Sequence, residues 1–185
     1  GTLDILNKFD NKFIKVINLD NNQGYGGGIL NGLNSVETEF SSWTHADLLK
    51  TLKFHKKIFI ENSDYFVKEN VIKGTRKNRN SFDTFFTNCM SLIVLLFTRF
   101  FIKDINAQPK IFHTSIKNQF LCPPKDFNLD LYLLVVSRKK KYNIISIDVE
   151  KDDRTLGKAK GGGSFIGKIK LSISTFLFLS KSNFK

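Results

Sequence analysis

Short runs of apolar and β-branched residues alternate along this chain with longer stretches in which apolar positions recur every three to four residues. The short runs predict β-strands, and the recurring positions predict amphipathic helices. The predicted strands are 13–19, 40–44, 65–73 (stopped by Gly74), 110–113 and 143–149. The predicted helices are 29–35, 48–62, 81–101, 129–138 and 166–179, with a Gly- and Lys-rich loop at 158–163. Strands that alternate with helices in this order predict an α/β fold with a mostly parallel sheet and helices on both faces.

The composition places the chain among globular proteins. Its 185 residues fit one domain, and a hydrophobic fraction of 41% is enough for a sizeable core. Cys89 and Cys122 are the only cysteines, which excludes a disulfide framework and a Cys-rich zinc module. So few cysteines also predict a reducing compartment.

The charge is strongly positive. There are 29 Lys and Arg against 17 Asp and Glu, a formal net charge of +12. This balance predicts an anionic partner, which is a nucleic acid, a phospholipid surface or a phosphorylated substrate. Composition alone does not choose among the three.

The C-terminal part of the chain combines this charge with apolar residues. Residues 151–185 hold eight Lys or Arg against two Asp, a net charge of +6, and apolar positions are interleaved with the basic ones. That pattern predicts a basic amphipathic helix at 164–185, which either lies on an anionic leaflet or packs on the α/β domain at 1–163. The apolar runs 90–102 and 166–179 are too short or too interrupted to span a bilayer comfortably.

Candidate chemistry follows the predicted strands, where α/β sheets bind their ligands. The turn that holds Asn22 and Gly24 is glycine-rich and precedes a helix, so it either cradles phosphate or is a plain turn. His45 and Asp47 come two residues apart after the 40–44 strand, a spacing that can aim both at one Mg²⁺ or Mn²⁺ ion. The alternative for Asp47 is a helix cap.

Three further segments carry charge at such positions. Arg76 follows the 65–73 strand and either grips phosphate or belongs to a solvated loop. Asp104 either contacts a sugar or an acceptor, or shapes a turn. Arg154, Lys158 and Lys160 form either a loop that closes over a diphosphate or a basic linker.

Taken in order, these segments resemble family-two glycosyltransferases of the GT-A fold. The resemblance rests on the turn at 22–33, the segments 44–48 and 73–76, the stretch 104–112, the residues 127–130 and the tail 149–160. These are similar to the family's Asn-x-Gly turn, Asp-x-Asp metal motif, Gly-x-Arg strand end, acceptor-side loop, acceptor-side acidic residue and Arg-x-x-Gly-x-Ala/Ser-Lys tail. The branch that looks nearest contains dolichyl-phosphate mannosyltransferase and bacterial polyprenyl-phosphate glycosyltransferases.

The resemblance implies an inverting transfer of a sugar from a UDP- or GDP-linked donor, with 1–163 as the catalytic domain. It implies a lipid-phosphate or glycan acceptor, Mg²⁺ or Mn²⁺ as cofactor, and a peripheral location on the cytoplasmic face of a membrane. Asp47 with His45 would hold the metal, and Asn22, Gly24 and Arg76 would bind the donor together with Arg154, Lys158 and Lys160. Asp104 or Asp130 would act as base for a sugar acceptor, whereas a lipid phosphate is already ionised and needs no strong base.

Three departures from the family pattern keep other functions open. The chain begins after the position of the family's first strands, His45 replaces the first Asp of the metal motif, and Leu49 stands where the lipid-phosphate branch often has Gln. The first alternative is therefore a catalytically impaired fragment or remnant that acts as a binding module. The second is a basic nucleic-acid-binding domain, but 19 of its 24 aromatic residues are Phe, many of them in apolar helices where core packing explains them, and no nucleic-acid partner is expected.

Overall fold

The computed structural model describes residues 1–8, 11–44, 49–77, 81–149 and 165–182, with backbone alone at 49–53. Its strands are β1 (Phe40–Trp43), β2 (Asn70–Arg76), β3 (Lys110–His113) and β4 (Asn143–Val149). Its α-helices are α1 (Thr2–Leu6), α2 (Gly24–Asn34), α3 (Leu49–Glu61), α4 (Ser81–Thr98), α5 (Asn128–Lys139) and α6 (Phe165–Lys181). Short 3₁₀ turns occupy Ser63–Tyr65 and Thr114–Gln119.

The four strands form one sheet in the order β1-β3-β2-β4. β3 is antiparallel to both β1 and β2, whereas β2 and β4 are parallel. β1, β2 and β4 therefore point the same way, and β3 alone among the described strands is reversed. The predicted α/β fold is confirmed, and three of the four described strands run in the same direction, although β3 pairs antiparallel with both of its neighbours. The carboxyl ends of those three strands meet at one edge.

Helices cover both faces of this sheet. Successive residues along each strand point their side chains to opposite faces, so both faces carry apolar residues that must be buried. Val71 and Phe112 face the larger core, which α5 fills with Leu131, Leu133 and Leu134. α2, α4 and α6 pack around the same core. On the other face, Ile72 and Ile111 pack against Ile58 of α3. The continuous apolar character of α5 thus reflects a helix that is enclosed on all sides.

Two predicted strands differ from the structure. Residues 13–19 alternate like a strand but are irregular and exposed, because no described strand lies beside them to take their backbone hydrogen bonds. The predicted 65–73 strand begins and ends too early. β2 starts at Asn70 and continues through Gly74, whose amide donates to the carbonyl of Pro109 at 3.0 Å. A glycine inside a strand here marks close approach of another segment, not the strand's end.

Helix positions agree with their predictions more closely. α3, α5 and α6 match within a few residues, while α2 begins earlier than predicted, at Gly24, and α4 ends earlier, at Thr98. By length and composition, α4 is also apolar enough to cross a membrane, and only 17% of it is buried in the protein. The proposed division between 1–163 and 164–185 stays a prediction.

Candidate functional site at the carboxyl ends of β1 and β2

Charged side chains lie buried where β1 and β2 approach their carboxyl ends. The strand register aligns Trp43 of β1, Lys110 of β3, Lys73 of β2 and Ser146 of β4 in one row across the sheet. Lys110 is fully buried and Lys73 is 2% exposed. Two buried ammonium groups require nearby carboxylates or carbonyls to hold them, and two carboxylates lie beside them.

Asp130 is the first of these carboxylates, and it is only 1% exposed. It projects from the first turn of α5 and accepts hydrogen bonds from Trp43 Nε1 at 2.9 Å and Gln108 Nε2 at 3.0 Å. The Tyr25 hydroxyl donates to its other oxygen at 3.2 Å, and Lys110 Nζ lies 3.5 Å away. Burial and the adjacent Asp130 charge raise the pKa of Tyr25, so the phenol stays protonated as a donor.

Asp104 is the second buried carboxylate, and it holds Arg76. The backbone amide of Arg76 donates to Asp104 Oδ2 at 2.8 Å, Arg76 Nε lies 3.1 Å from both oxygens, and a terminal nitrogen of the guanidinium completes the pair. Asp104 has a φ of 46°, a left-handed conformation that Asp tolerates better than most residues. The arrangement fixes the guanidinium at the end of β2 while leaving the Arg76 side chain 36% exposed.

The hydrogen bonds of the two lysines go mainly to backbone carbonyls near these carboxylates. Lys73 Nζ donates to the carbonyl of Gly74 at 3.0 Å and to Thr75 Oγ1 at 3.2 Å, and it lies 3.5 Å from the carbonyl of Asp104. Lys110 Nζ donates to the carbonyl of Ala107 at 2.6 Å. Burial, helped by the charge of Lys110, lowers the pKa of Lys73 to about 8. Burial also lowers the pKa of Lys110, and Asp130 opposes that effect.

The segment 104–110 crosses the end of β2 at very short range. A Cβ added at Gly74 would lie 2.2 Å from the carbonyl oxygen of Gln108, so only glycine allows this approach. The Gln108–Pro109 peptide bond is cis. One loop therefore carries Asp104, Gln108 and the start of β3 past Lys73, which joins all the charged groups into one centre.

The glycine-rich turn reaches this centre through Tyr25, but its glycines contact protein. Asn22 Oδ1 accepts from the Gly24 amide at 2.8 Å, and the Gly27 amide donates to the carbonyl of Lys125 at 3.0 Å. Gly24 has a φ of +78°, and a Cβ on it would lie 2.8 Å from the same carbonyl. The glycines thus let α2 pack on the chain preceding α5, which favours the plain-turn interpretation of this segment over a phosphate cradle.

Several predicted site residues lie outside the residues that the structure describes. These are His45, Asp47, Arg154, Lys158 and Lys160. The strands that precede them, β1 and β4, end at the same edge of the sheet as β2. Within the described ranges no cluster of three or more His, Cys, Asp or Glu side chains could hold a metal ion. Asp104 and Asp130 are already bound by protein donors, so the described residues do not fit a metal centre.

Of the predicted residues, the structure brings Arg76, Asp104 and Asp130 into one centre, while Asn22 and Gly24 lie exposed in the turn that precedes Tyr25. Sequence reasoning missed five members: Tyr25, Trp43, Lys73, Gln108 and Lys110. Two signals were present, because Lys73 directly follows the apolar pair Val71–Ile72 in β2 and Lys110 directly precedes Ile111–Phe112 in β3. A lysine at a strand position that faces a core predicts a buried partner.

Comparisons with known proteins identify the architecture. No protein-family description matches the sequence, and no curated protein matches it. Solved structures do match. Glucosyl-3-phosphoglycerate synthase from Mycobacterium tuberculosis, in a complex with Mn²⁺, UDP-glucose and glycerol 3-phosphate, superposes with a TM-score of 0.58 at 10% identity. A second structure of that enzyme, with phosphoglyceric acid, gives 0.57 at 11%. The fold is of the GT-A type.

The two superpositions cover 90% of this chain but 57% of each enzyme chain. The chain thus spans little more than half the length of the solved enzymes that it matches. At such low identity the likeness establishes the GT-A fold and its Rossmann-like sheet, as the sequence pattern predicted. It does not extend to the dolichyl-phosphate branch.

Proposed function

We propose that this chain is the catalytic part of an inverting glycosyltransferase that moves a sugar from a UDP- or GDP-linked donor to a polyprenyl or dolichyl phosphate. We place it on the cytoplasmic face of a membrane, as a peripheral protein. The observation that carries the proposal is Arg76, a partly exposed guanidinium that Asp104 anchors at the carboxyl end of a strand in a GT-A fold. An anchored arginine at this edge is suited to bind a phosphate or diphosphate.

The charge balance of the centre supports an anionic ligand. Arg76, Lys73 and Lys110 are cationic, and Asp104 and Asp130 are anionic, which leaves an excess of positive charge when all five are ionised. Since this excess is enclosed on the sheet side, a phosphate approaching Arg76 would be attracted with less screening than at an open surface. Arg76 would hold the leaving diphosphate or the acceptor phosphate and offset charge that develops there.

The state of the two acidic residues supports a phosphate acceptor over a sugar hydroxyl. Both oxygens of Asp130 are engaged by donors, and Asp104 is committed to Arg76. A general base must have an accessible oxygen within reach of the proton that it removes. An ionised lipid phosphate requires no such base, so we assign Asp104 and Asp130 as positioning residues: Asp104 for Arg76, and Asp130 for Tyr25 and Gln108.

The remaining predicted residues enter as part of the proposal. His45 and Asp47 follow β1 and would supply ligands to Mg²⁺ or Mn²⁺, an ion that when bound offsets the negative charge of a diphosphate. Arg154, Lys158 and Lys160 follow β4 and would add positive charge from the other side of the diphosphate. Support comes from the parallel direction of β1 and β4, since both strands deliver the chain to the edge that holds Arg76.

The test is ligand-induced thermal stabilisation of the 185-residue chain. UDP-glucose and GDP-mannose would each be added with Mn²⁺ and with EDTA. A ligand present at one hundred times its dissociation constant stabilises a protein by about 2.7 kcal/mol, so we expect a clear rise in Tm with one of the two nucleotides. The rise should be smaller in EDTA.

The matched variants are Arg76→Met and Lys77→Met. Lys77 is the next residue along the chain, but it pairs with the exposed Asp148 at 2.7 Å, away from the buried centre. We expect Arg76→Met to lose the ligand-induced shift and Lys77→Met to keep it. The absence of a shift with any nucleotide sugar would favour the remnant that binds without transferring, and an equal shift in both variants would remove Arg76 from the site.

A further inference from the structure

The outward side of α4 carries large apolar residues along its length, with Thr84 and Asn88 also exposed between them. Its exposed positions recur every three to four residues and include Phe82, Phe85, Leu92 and Leu96. Phe85 is 62% exposed and Leu96 is 81% exposed. The buried positions of the same helix are Ser91, Val94 and Thr98. The helix therefore buries two hydroxyl-bearing residues beside Val94 and leaves four large apolar residues outward, while Met90, Ile93 and Phe97 pack against the core.

α6 likewise exposes large apolar residues. Its exposed apolar positions are Phe165, Ile166, Ile169, Ile173, Phe176 and Leu177. Its buried positions are Thr175 and Leu179, and the Thr175 hydroxyl donates to Asn128 Oδ1 of α5 at 3.1 Å. A helix on the surface of a protein in water normally has the opposite arrangement, with polar residues outside.

The two helices lie side by side and point the same way. Near their starts, the rings of Phe82 and Phe165 have centroids 5.9 Å apart, and further along Phe97 and Phe176 are 5.4 Å apart. Lys168 of α6 pairs with Asp83 of α4 and lies 4.8 Å from the Phe82 ring centroid. The outward residues of both helices therefore form one surface, here called the α4–α6 surface.

The charges around this surface are positive. Asp83 is the one acidic residue in the two helix sequences, and Lys168 neutralises it. Lys170 and Lys181 are exposed on α6, and Arg99 and Lys103 are exposed just after α4. An apolar surface flanked by cations complements the apolar interior and anionic headgroups of a lipid leaflet.

We propose that the α4–α6 surface docks on an anionic bilayer with both helix axes in the membrane plane. The helices lie on the bilayer and do not cross it, because Val94 of α4 and Leu179 of α6 belong to the core that α5 and the sheet share. The inference deepens the proposed function and rests on it for its biological meaning, since a lipid-borne acceptor would be presented at this surface. A second copy of the chain is a poorer occupant, because it would bring the same positive flanks together.

The experiment is vesicle flotation of the 185-residue chain. The vesicles contain phosphatidylcholine alone or phosphatidylcholine mixed with phosphatidylglycerol, at low and high salt. The test variants are Leu96→Glu and Ile166→Glu, one on each helix. The control is Ile60→Glu, which changes a residue that is 70% exposed on α3, a helix on the opposite face of the sheet.

We expect the wild-type chain to float with anionic vesicles, more weakly with neutral ones, and less at high salt. The partition coefficient of each test variant onto anionic vesicles should be at least about tenfold lower than that of the wild-type chain. The reason is that a carboxylate replaces an apolar side chain at the lipid boundary and is repelled by the headgroups. Ile60→Glu should float like the wild-type chain. Circular dichroism and thermal unfolding would verify that all variants fold.

Two results would overturn the inference: wild-type chain that does not float, or test variants that float as well as Ile60→Glu. Light scattering can give a third such result: a wild-type chain that is dimeric, test variants that are monomeric, and no binding to vesicles. That result would assign the surface to a second copy of the chain. The donor-induced shift in Tm is measured separately in the same variants. Flotation without that shift would contradict nucleotide-sugar transfer and leave the docking surface intact. The shift without flotation would contradict the docking surface and the membrane placement, and leave donor binding intact.

Discussion

The buried centre at the strand ends and the α4–α6 surface depart in opposite ways from the usual distribution of residues: the centre buries ionisable side chains, and the surface exposes apolar ones. In the centre, the ionisable side chains of Lys110 and Asp130 are essentially inaccessible to solvent, whereas on the surface Leu96 is apolar and 81% exposed. Folding in water favours the opposite choice at both places. Because each arrangement costs free energy of folding, we infer that recognition of an anion and of a lipid surface, and not stability, explains the residues found there.

Among substitutions that test this contrast, the largest loss of stability is expected from Asp130→Asn. The substitution keeps the shape of the side chain but removes the charge opposite Lys110, leaving a buried ammonium group without its carboxylate. Breaking a buried ion pair from one side costs about 3–5 kcal/mol. Urea denaturation would measure the loss in the free energy of unfolding.

The counterpart on the α4–α6 surface is Leu96→Glu. Since the Leu96 side chain is mostly exposed, we expect its free energy of unfolding to change by no more than about 0.5 kcal/mol in the absence of lipid. If both substitutions destabilised the chain equally, the two regions would not differ in the way described.

An intermediate effect is expected from Gly74→Ala, which tests how tightly the 104–110 segment crosses β2. The added Cβ would meet the Gln108 carbonyl at 2.2 Å, so backbone must shift, and overpacking of this kind costs about 1–3 kcal/mol. Gly28→Ala is the matched control, because a Cβ at this position in α2 meets nothing within 4 Å. It should stabilise the chain by about 0.5–1 kcal/mol, since alanine favours helix. Thermal and urea unfolding of both variants would compare them, and a neutral Gly74→Ala would contradict the close crossing.

A further effect in the buried centre is expected as a pH dependence due to Lys73. In the folded chain its pKa is lowered to about 8, whereas the pKa of a lysine in the unfolded chain keeps its ordinary value of 10.5. Between these values the unfolded state binds more protons, so the contribution of Lys73 to stability rises as pH increases from about 8 towards 10.5 and is least favourable below 8.

Lys73→Met removes this titration. Unfolding free energies measured from pH 7 to 10 should therefore show the wild-type chain gaining on Lys73→Met as pH increases, by up to about 1.4 kcal/mol for each pH unit between the folded and unfolded pKa values. Parallel pH profiles for the two proteins would contradict an ionisable Lys73 in the buried centre.

Much of the fold could be predicted from local pattern. The predictions for β1, β3 and β4 and for the helices α3, α5 and α6 agree with the structure within a few residues, because their apolar spacing expresses the faces that they bury. The strand predicted at 13–19 is wrong in this structure because alternation gives a strand only where a neighbouring strand accepts its hydrogen bonds. That information lies in the partner and not in the segment.

The site was predictable only in part, for a related reason. Arg76 could be predicted from its place after a strand and Asp104 from its place before a turn, whereas Asp130 was implied by the family resemblance. The pairing of Asp130 with Trp43 joins residues 87 positions apart, and that with Tyr25 joins residues 105 apart. Such contacts depend on the register of β1 against β3 and on how α2 packs, which no local pattern specifies.

The first turn of α5 supplies a rigid spacer between the two regions. Asn128 donates to Ser174 Oγ of α6 at 3.2 Å and accepts a hydrogen bond from Thr175. Asp130, two residues further on, accepts hydrogen bonds from the donors of the buried centre. Ten consecutive residues of α5, from Asn128 to Ser137, are buried, so this turn has little freedom to tilt or slide. With α6 resting on a leaflet, the anchored guanidinium would stand at a set height above the headgroups, and only acceptors whose phosphate rises to that height would meet it.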